Sequence, residues 1–132
     1  DAGWRDIESV ADEIRALGRR ALPVVTSVAD PEAVDALVAQ VVAEFGRVDF
    51  LINNAGATRG SDRVPVTELA LDTWKRVMDT NLNGTFYMSR AFAQKMSAQG
   101  LGGAIINISS LAARLLAPDS AASACGHAHM CA

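Results

Sequence analysis

A short apolar run that closes on small and amide-bearing residues constrains this chain more than any other stretch. The run covers residues 48–52 and ends in Asn53-Asn54-Ala55-Gly56. It directly follows a helical pattern, and this order is typical of a strand in a βαβ unit. Small residues at the carboxyl end of a parallel strand let a flat ligand approach the backbone, and asparagine amides offer donors and acceptors to hold it. Because Asn and Gly also end strands for local turn reasons, the tetrapeptide needs support from the rest of the chain.

Helical patterns precede this strand. Residues 5–17 carry apolar side chains at helical spacing, and Gly18 is a typical C-terminal stop. Asp30-Pro31 predicts the start of a second helix, because Asp caps helices and Pro suits the first helical position. The apolar stripe over residues 34–45 is expected to pack on a sheet.

Two further segments are predicted to be strands. Residues 21–26 form one, and residues 104–108 form a buried one. The glycine-rich stretch 100–103 follows a helix and precedes a strand, which is the reverse of a dinucleotide-binding loop, so it is interpreted as a helix stop and turn. The second strand should deliver Ser110 to the same sheet edge as Asn54.

A long helix is predicted between these strands. Residues 57–71 show no periodicity and are expected to form a loop on the ligand-binding side of the sheet. The helix should begin at Asp72 or Thr73, either of which can cap it, and extend to about residue 97. Asn81 lies in its middle, where Asn is a poor helix former and needs a hydrogen bond to be retained.

Composition excludes several classes of function. The chain has 132 residues, half of them hydrophobic, which is enough for one domain with a buried core. A net charge of −3 gives no basic surface for nucleic acid, and no apolar run approaches the roughly 18 residues that span a bilayer. No signal or transit peptide is recognised, so a cytoplasmic location is expected. The chain starts at Asp1, almost within a helical pattern, and we expect it to be a fragment of a longer protein.

Three ordered motifs give the chain a family resemblance. They are the Asn-Asn-Ala-Gly turn, Asn81 in Asn-Leu-Asn-Gly, and Ser110 in Asn-Ile-Ser-Ser. With these motifs, residues 5–122 resemble the middle of a short-chain dehydrogenase/reductase domain. The resemblance implies an α/β fold, a Rossmann-like doubly wound parallel sheet with helices on both faces. That fold would be incomplete here, with residues 1–122 as a partial domain and residues 123–132 as a divergent tail.

The family resemblance also implies an activity, the interconversion of a small-molecule alcohol and a ketone by hydride transfer with NAD or NADP. Ser110 matches the serine that orients the carbonyl, and Asn81 matches an asparagine in a proton relay through water. A polar residue satisfied at a helix kink is the alternative for Asn81. The family further implies a homo-oligomer, a dimer or a tetramer, formed through the helix around residues 73–97.

Residues of the cofactor site are also implied by the resemblance. Asn54, Ala55 and Gly56 would line the cofactor beside the sheet. Ser27, followed by Val28, stands where the family has an Asp or Asn near the adenine ring. An ordinary strand-end serine is an equally good interpretation of Ser27.

In the loop over residues 57–71, Thr58, Arg59 and Asp62 are candidates for the substrate pocket, with a solvated loop as the alternative.

The chain departs from the family at two decisive places. Where the family has Tyr-x-x-x-Lys, this chain has Ser123 and His127, and an aliphatic hydroxyl is a far weaker acid than a phenol. Nothing before Trp4 supplies the glycine turn that holds a pyrophosphate. We therefore expect this chain to be inactive alone and to bind no dinucleotide tightly. The alternative function is a truncated, non-catalytic α/β scaffold that associates through its long helix.

Strand order predicts a structural consequence of the missing front. In a 3-2-1-4-5-6 sheet, the first two strands lie between the strand at residues 21–26 and the strand at residues 48–52. The chain should lack the middle of its own sheet and expose unpaired edges.

The tail contains cysteine and histidine at every second residue, as Cys125, His127, His129 and Cys131. Soft metals use these side chains, but tetrahedral zinc usually draws pairs of ligands from separated segments. We expect no metal site there.

Overall fold

The computed structural model describes residues 6–57 and 62–110, together with Cys125. Thr58, Arg59 and, apart from Cys125, the tail over residues 123–132 lie outside the described residues. In chain order the elements are α1 (Ile7–Ala16), α2 (Pro31–Phe45), β1 (Phe50–Asn53), a 3-10 turn (Val66–Glu68), α3 (Leu71–Met78), a π-helical segment (Asp79–Asn83), α4 (Gly84–Ala98) and β2 (Ala104–Asn107).

The predicted start of the second helix is confirmed. The Asp30 carboxylate accepts from the backbone N–H groups of Glu32 and Ala33, which satisfies two of the donors that a helix start leaves open. Pro31 occupies the first turn, and Gly46 ends the helix with a left-handed φ of 78°. Local residue chemistry is therefore sufficient to fix both ends of α2.

The predicted cap of the long helix is wrong. The helix begins at Leu71 after Ala70, which makes no side-chain cap bond. Asp72 lies inside the first turn, and its carboxylate accepts from the N–H of Thr73 at 2.7 Å. A carboxylate in the first turn interacts favourably with the positive end of a helix. Asp72 therefore still indicates a helix start, although the helix begins earlier than Asp72 predicts.

The two strands form a parallel pair. Phe50 lies opposite Ala104, and Asn53 lies opposite Asn107. Backbone hydrogen bonds extend the pair at both ends, from Ala104 N–H to the Asp49 carbonyl and from Ile108 N–H to the Asn53 carbonyl, both at 2.9 Å. This places the residues after Asn53 and after Asn107 at the same edge of the sheet.

The predicted strand over residues 21–26 is not formed. Within the described ranges the sheet has two strands, β1 and β2, and residues 21–26 have no strand hydrogen bonding. A strand exists only through a partner, and the strand order predicted that the neighbours of this segment are missing from residues 1–132. Val25 is accordingly 91% exposed.

The core lies on one face of the sheet. Val48 and Leu51 pack against Phe92 and Met96 of α4, and α2 adds the partly buried residues Leu37, Val38 and Val41. Burial alternates along β1, so that Leu51 and Asn53 face the helices.

The opposite face of β1 is open. Phe50 is 68% exposed and Ile52 is 59% exposed. Large apolar side chains of a sheet normally lie under a second layer of helices or strands. The described part of the chain supplies no such layer over Phe50 and Ile52.

Gln99, just after α4, holds the start of β1. Its side-chain oxygen accepts from the backbone N–H of Val48 at 2.6 Å, and its amide nitrogen donates to the Val48 carbonyl at 2.8 Å. The side-chain amide thus satisfies both backbone groups of one residue, as a neighbouring strand would.

An apolar groove of about 400 Å³ lies between α1, residues 20–24 and Phe45. In the described ranges, no helix combines the length and apolar character that crossing a membrane requires.

Candidate functional site

Asn81 is the most deeply buried of the predicted site residues. It is 2% exposed and lies in the π-helical segment, which interrupts the long helix. Its Oδ1 accepts from the backbone N–H of Ala57 at 2.8 Å, and its carbonyl accepts from the Thr85 hydroxyl at 2.8 Å. Because π segments inside α-helices often occur at functional sites, Asn81 marks the position of the candidate site.

The turn after β1 lies directly beside Asn81. Asn54, Ala55 and Gly56 are all exposed, and a Cβ added to Gly56 would lie 3.7 Å from the Asn81 Oδ1. The hydrogen bond to Ala57 fixes the end of this turn against the helix. The turn therefore offers open backbone on one side and is held in place on the other.

A small cleft of about 40 Å³ opens between the turn and the long helix. Asn54 and Ala55 line it from the turn, Thr80 from the π segment, and Val28 from the loop before α2. Val28 reaches this position because Gly84 has no side chain, and a Cβ there would lie 2.7 Å from a Val28 methyl. Val28, one of the predicted cofactor residues, therefore lines the same cleft as Asn54 and Ala55.

Ser110 and Ser27 lie at the margins of this arrangement. Ser110 follows β2, is half-buried, and stands at the same sheet edge as Asn54 because the strands are parallel. Ser27 is exposed in the turn before α2, where its carbonyl accepts from Asp30 N–H at 3.2 Å. Neither residue lines the small cleft.

Sequence reasoning missed a polar network under the site. The Asn53 side chain is 9% exposed, and its Nδ2 donates to Ser89 Oγ at 2.9 Å and to Asn107 Oδ1 at 2.8 Å. One signal was available, because Asn53 stands two residues after Leu51 and must share its buried face. Ser89 gave no comparable signal, since a serine in a helix most often faces solvent.

Asp62, a candidate for the substrate pocket, is buried rather than solvated. The Arg47 guanidinium has its pKa raised by its hydrogen bond with the Asp49 carboxylate and by the charge of that group, but this pair is at the opposite end of β1. In the described ranges, no His, Cys, Asp and Glu side chains cluster in a way that could hold a metal ion.

The described residues fit only one edge of a dinucleotide. The cleft of about 40 Å³ is far smaller than the roughly 300–1,000 Å³ of a cofactor or ligand pocket. The glycines with a left-handed φ, at positions 18, 46, 100 and 102, all follow helices and do not open one after a strand, as a pyrophosphate site requires. The turn at Asn54 to Gly56 can flank a flat ring, and the remainder of the cofactor has no counterpart here.

Comparison with known proteins places this geometry in a family. The sequence model described as short chain dehydrogenase matches residues 2–126. The 2-dehydro-3-deoxy-D-gluconate 5-dehydrogenase of Escherichia coli is 41% identical over 100 residues, which are 76% of this chain and 38% of that enzyme. The L-rhamnose 1-dehydrogenase (NAD(P)(+)) of a Sphingomonas species is 39% identical over 106 residues, which are 80% of this chain and 41% of that enzyme.

A solved structure extends the likeness to the fold. The crystal structure of NAD+-bound xylitol dehydrogenase matches with a TM-score of 0.86 at 32% identity, over 93% of this chain and 46% of that chain. The expectation of an incomplete Rossmann-like α/β domain is confirmed, and the chain spans about two fifths of the length of the two curated relatives. This chain belongs to the short-chain dehydrogenase/reductase family.

Proposed function

We propose that this chain is the central part of an NAD(P)-dependent oxidoreductase that interconverts an alcohol and a carbonyl. The observation that carries the proposal is the contact between Asn81 and Ala57. It joins a buried amide in the interrupted helix to the turn that follows β1, at the sheet edge where open α/β folds bind ligands.

Each proposed site residue is assigned one role in this reaction. A bound nicotinamide would supply or accept the hydride. Ser110, at the end of β2, would donate a hydrogen bond to the substrate oxygen and orient it. Asn81 would take part in a proton path through water, and Asn54, Ala55 and Gly56 would flank the cofactor. Ser27 and Val28 would lie at its adenine side.

The substrate class follows from the relatives rather than from the cleft. The names of the two curated relatives describe a keto sugar acid and a sugar, and the similar solved structure is a xylitol dehydrogenase. We therefore propose a small polyhydroxylated alcohol or ketone as substrate.

The test is an assay of the complete gene product on sugars, sugar acids and polyols with NAD and NADP. Ser110→Ala should lower kcat/KM by about 10²-fold or more, because a positioned hydrogen bond to the reacting oxygen is lost. Ser109→Ala is the matched control, since Ser109 precedes Ser110 and is exposed. A complete protein that keeps nearly its full rate with Ser110→Ala would contradict the role of Ser110.

A second candidate is a non-catalytic scaffold. It is favoured by Ser123 and His127, which stand where the family has its Tyr and Lys. Such a scaffold would associate through the long helix, on which Phe86 is 59% exposed. Absence of turnover in the complete gene product, together with a dimer that Phe86→Lys dissociates, would favour this candidate.

The 132-residue chain alone is expected to bind NADH or NADPH no more tightly than about 1 mM, near −4 kcal/mol. The reason is that the described glycine turns are not placed to hold the pyrophosphate. Calorimetric titration measures this directly. Saturable micromolar binding would contradict the expectation.

A further inference from the structure

We propose that Asn53, Ser89 and Asn107 form a side-chain clamp that positions the three segments carrying the proposed site. Asn53 is its centre, and Ser89 and Asn107 accept its two amide hydrogens. The three are positioning residues, and the inference rests on the proposed oxidoreductase function.

The geometry of Asn53 leaves its amide little freedom. The side chain is 9% exposed and faces α4 together with Leu51. A primary amide has two N–H donors, and here one donates to Ser89 at 2.9 Å and the other to Asn107 at 2.8 Å. A buried donor left without a partner costs about 1–3 kcal/mol, so this orientation of Asn53 is strongly favoured.

Each member of the clamp belongs to a segment that carries proposed site residues. Asn53 directly precedes the turn at Asn54, and Asn107 is three residues before Ser110. Ser89 lies in α4, which continues the π segment that holds Asn81. The partners are far apart in sequence, by 36 residues for Ser89 and 54 for Asn107.

Backbone pairing alone does not fix this arrangement. The ladder between β1 and β2 sets the register of the two strands, and it leaves the position of α4 to apolar packing and, at the start of β1, to the hydrogen bonds of Gln99 with Val48. Apolar contacts tolerate small sliding, whereas a hydrogen bond weakens steeply when its geometry changes. The bond to Ser89 therefore supplies a directional contact between helix and sheet at the end of β1 that leads into the site.

Small displacements at such a place matter for the proposed reaction. A misplacement of about 1 Å by a distant substitution can cost roughly 10²-fold in rate. Loss of the clamp should therefore lower kcat more than it changes KM. Loss of a purely structural contact would instead reduce the amount of folded protein and leave the properties of the folded fraction unchanged.

The first experiment is NMR on the 132-residue chain. Exchange of the Asn53 side-chain amide hydrogens should be slowed by about 10-fold or more relative to those of Asn54, which is exposed and serves as the internal control. Ser89→Ala should abolish the protection of one hydrogen and shift the backbone amide resonance of Ala57. Ser89→Thr, which keeps the hydroxyl, should preserve both features.

The second experiment is kinetic and uses the complete gene product. Ser89→Ala and Asn107→Leu should each lower kcat by about 10-fold with KM changed less than about twofold, while Ser89→Thr and Asn107→Asp keep the accepting oxygen and most of the rate. Ser97→Ala, an exposed serine of the same helix, is the control.

The two experiments separate the clamp from the proposed function. Equal exchange at Asn53 and Asn54, or a Ser89→Ala spectrum that changes only next to residue 89, would overturn the clamp whatever the enzyme does. A protected Asn53 amide in a complete protein that turns over no alcohol or carbonyl would support the clamp as a structural contact and overturn the proposed reaction.

Discussion

At the scale of residues, the side-chain amides of three residues connect segments that are far apart in sequence. Asn81 satisfies the N–H of Ala57, Asn53 bridges Ser89 and Asn107, and Gln99 satisfies both backbone groups of Val48. In the described ranges no buried side-chain nitrogen or oxygen lacks a hydrogen-bond partner. Amides suit this role because they both donate and accept without a charge to desolvate.

Replacement of Asn81 by Ala should lower the free energy of unfolding by about 1–3 kcal/mol, because the N–H of Ala57 would lose its acceptor. Asn83→Ala is the control. It lies in the same π segment and gains the same helix propensity, but its amide bonds Asp79 only one turn away. Urea denaturation of both variants measures the difference. Equal losses would show that the bond to Ala57 contributes nothing specific.

Gly84→Ala should destabilise the chain although Ala is the better helix former. The new Cβ would lie 2.7 Å from the Val28 methyl and 3.2 Å from the Val28 carbonyl. Overpacking of this kind costs about 1–3 kcal/mol, against a gain of up to about 1 kcal/mol in helix propensity. Thermal unfolding should place Gly84→Ala below the wild type.

Two controls accompany that measurement. Gly56→Ala should leave stability nearly unchanged, since among the described residues its Cβ would meet no atom closer than 3.7 Å. Adding Val28→Ala to Gly84→Ala should recover part of the loss, and a double variant less stable than both single variants would contradict the steric explanation.

At the scale of elements, local signals were sufficient where an element makes its own hydrogen bonds. The Asp30-Pro31 start of α2 was predicted because a helix satisfies its backbone internally. The segment over residues 21–26 has strand-like residues but forms no strand, because a strand depends on partners elsewhere.

The candidate site shows the same difference between local features, which the sequence reveals, and contacts with distant residues, which it does not. Asn81 was singled out by its poor fit to a helix, but its partner Ala57, 24 residues earlier, could not be read from spacing. The clamp partners of Asn53 were missed for the same reason, and the π segment was missed because its five residues do not disturb the helical pattern visibly. The assignments of Ser110, Ser27 and the cofactor residues stay predictions.

Gln99→Leu should lower the free energy of unfolding by about 1–3 kcal/mol, since both backbone groups of Val48 would lose their partner at the start of β1. Gln40→Leu, the same change at an exposed position of α2, is the control. Hydrogen exchange offers an additional readout, because the Val48 amide should lose its protection only in Gln99→Leu. Persistent protection there would argue against the bond.

At the scale of the whole molecule, helices cover one face of the sheet, and among the residues that the structure describes nothing covers the other. The open face presents Phe50 and Ile52 from β1, and the two-stranded sheet leaves a free edge. Exposed apolar surface beside unpaired strand edges favours association between molecules.

The 132-residue chain should therefore self-associate as its concentration rises. Sedimentation velocity should show a rising average mass that Phe50→Lys combined with Ile52→Lys suppresses. Leu71→Lys is the control, since Leu71 is 80% exposed but belongs to α3 and not to the sheet. A mass that responds equally to both changes would locate the association outside the sheet face.

The π segment also determines how the chain can vary in length. Five residues, Asp79–Asn83, take the place of what would be a tighter α-helical turn, which is equivalent to one inserted residue. Removing one residue there would restore a continuous α-helix and keep the rotation of α4 relative to α3, because the wide turn is what absorbs the extra residue. Phe92 and Met96 would still face Val48 and Leu51, and Ser89 would still face Asn53. The core should therefore tolerate a single-residue deletion at this place, and the loss should fall on the bond from Ala57 to Asn81, which lies inside the segment.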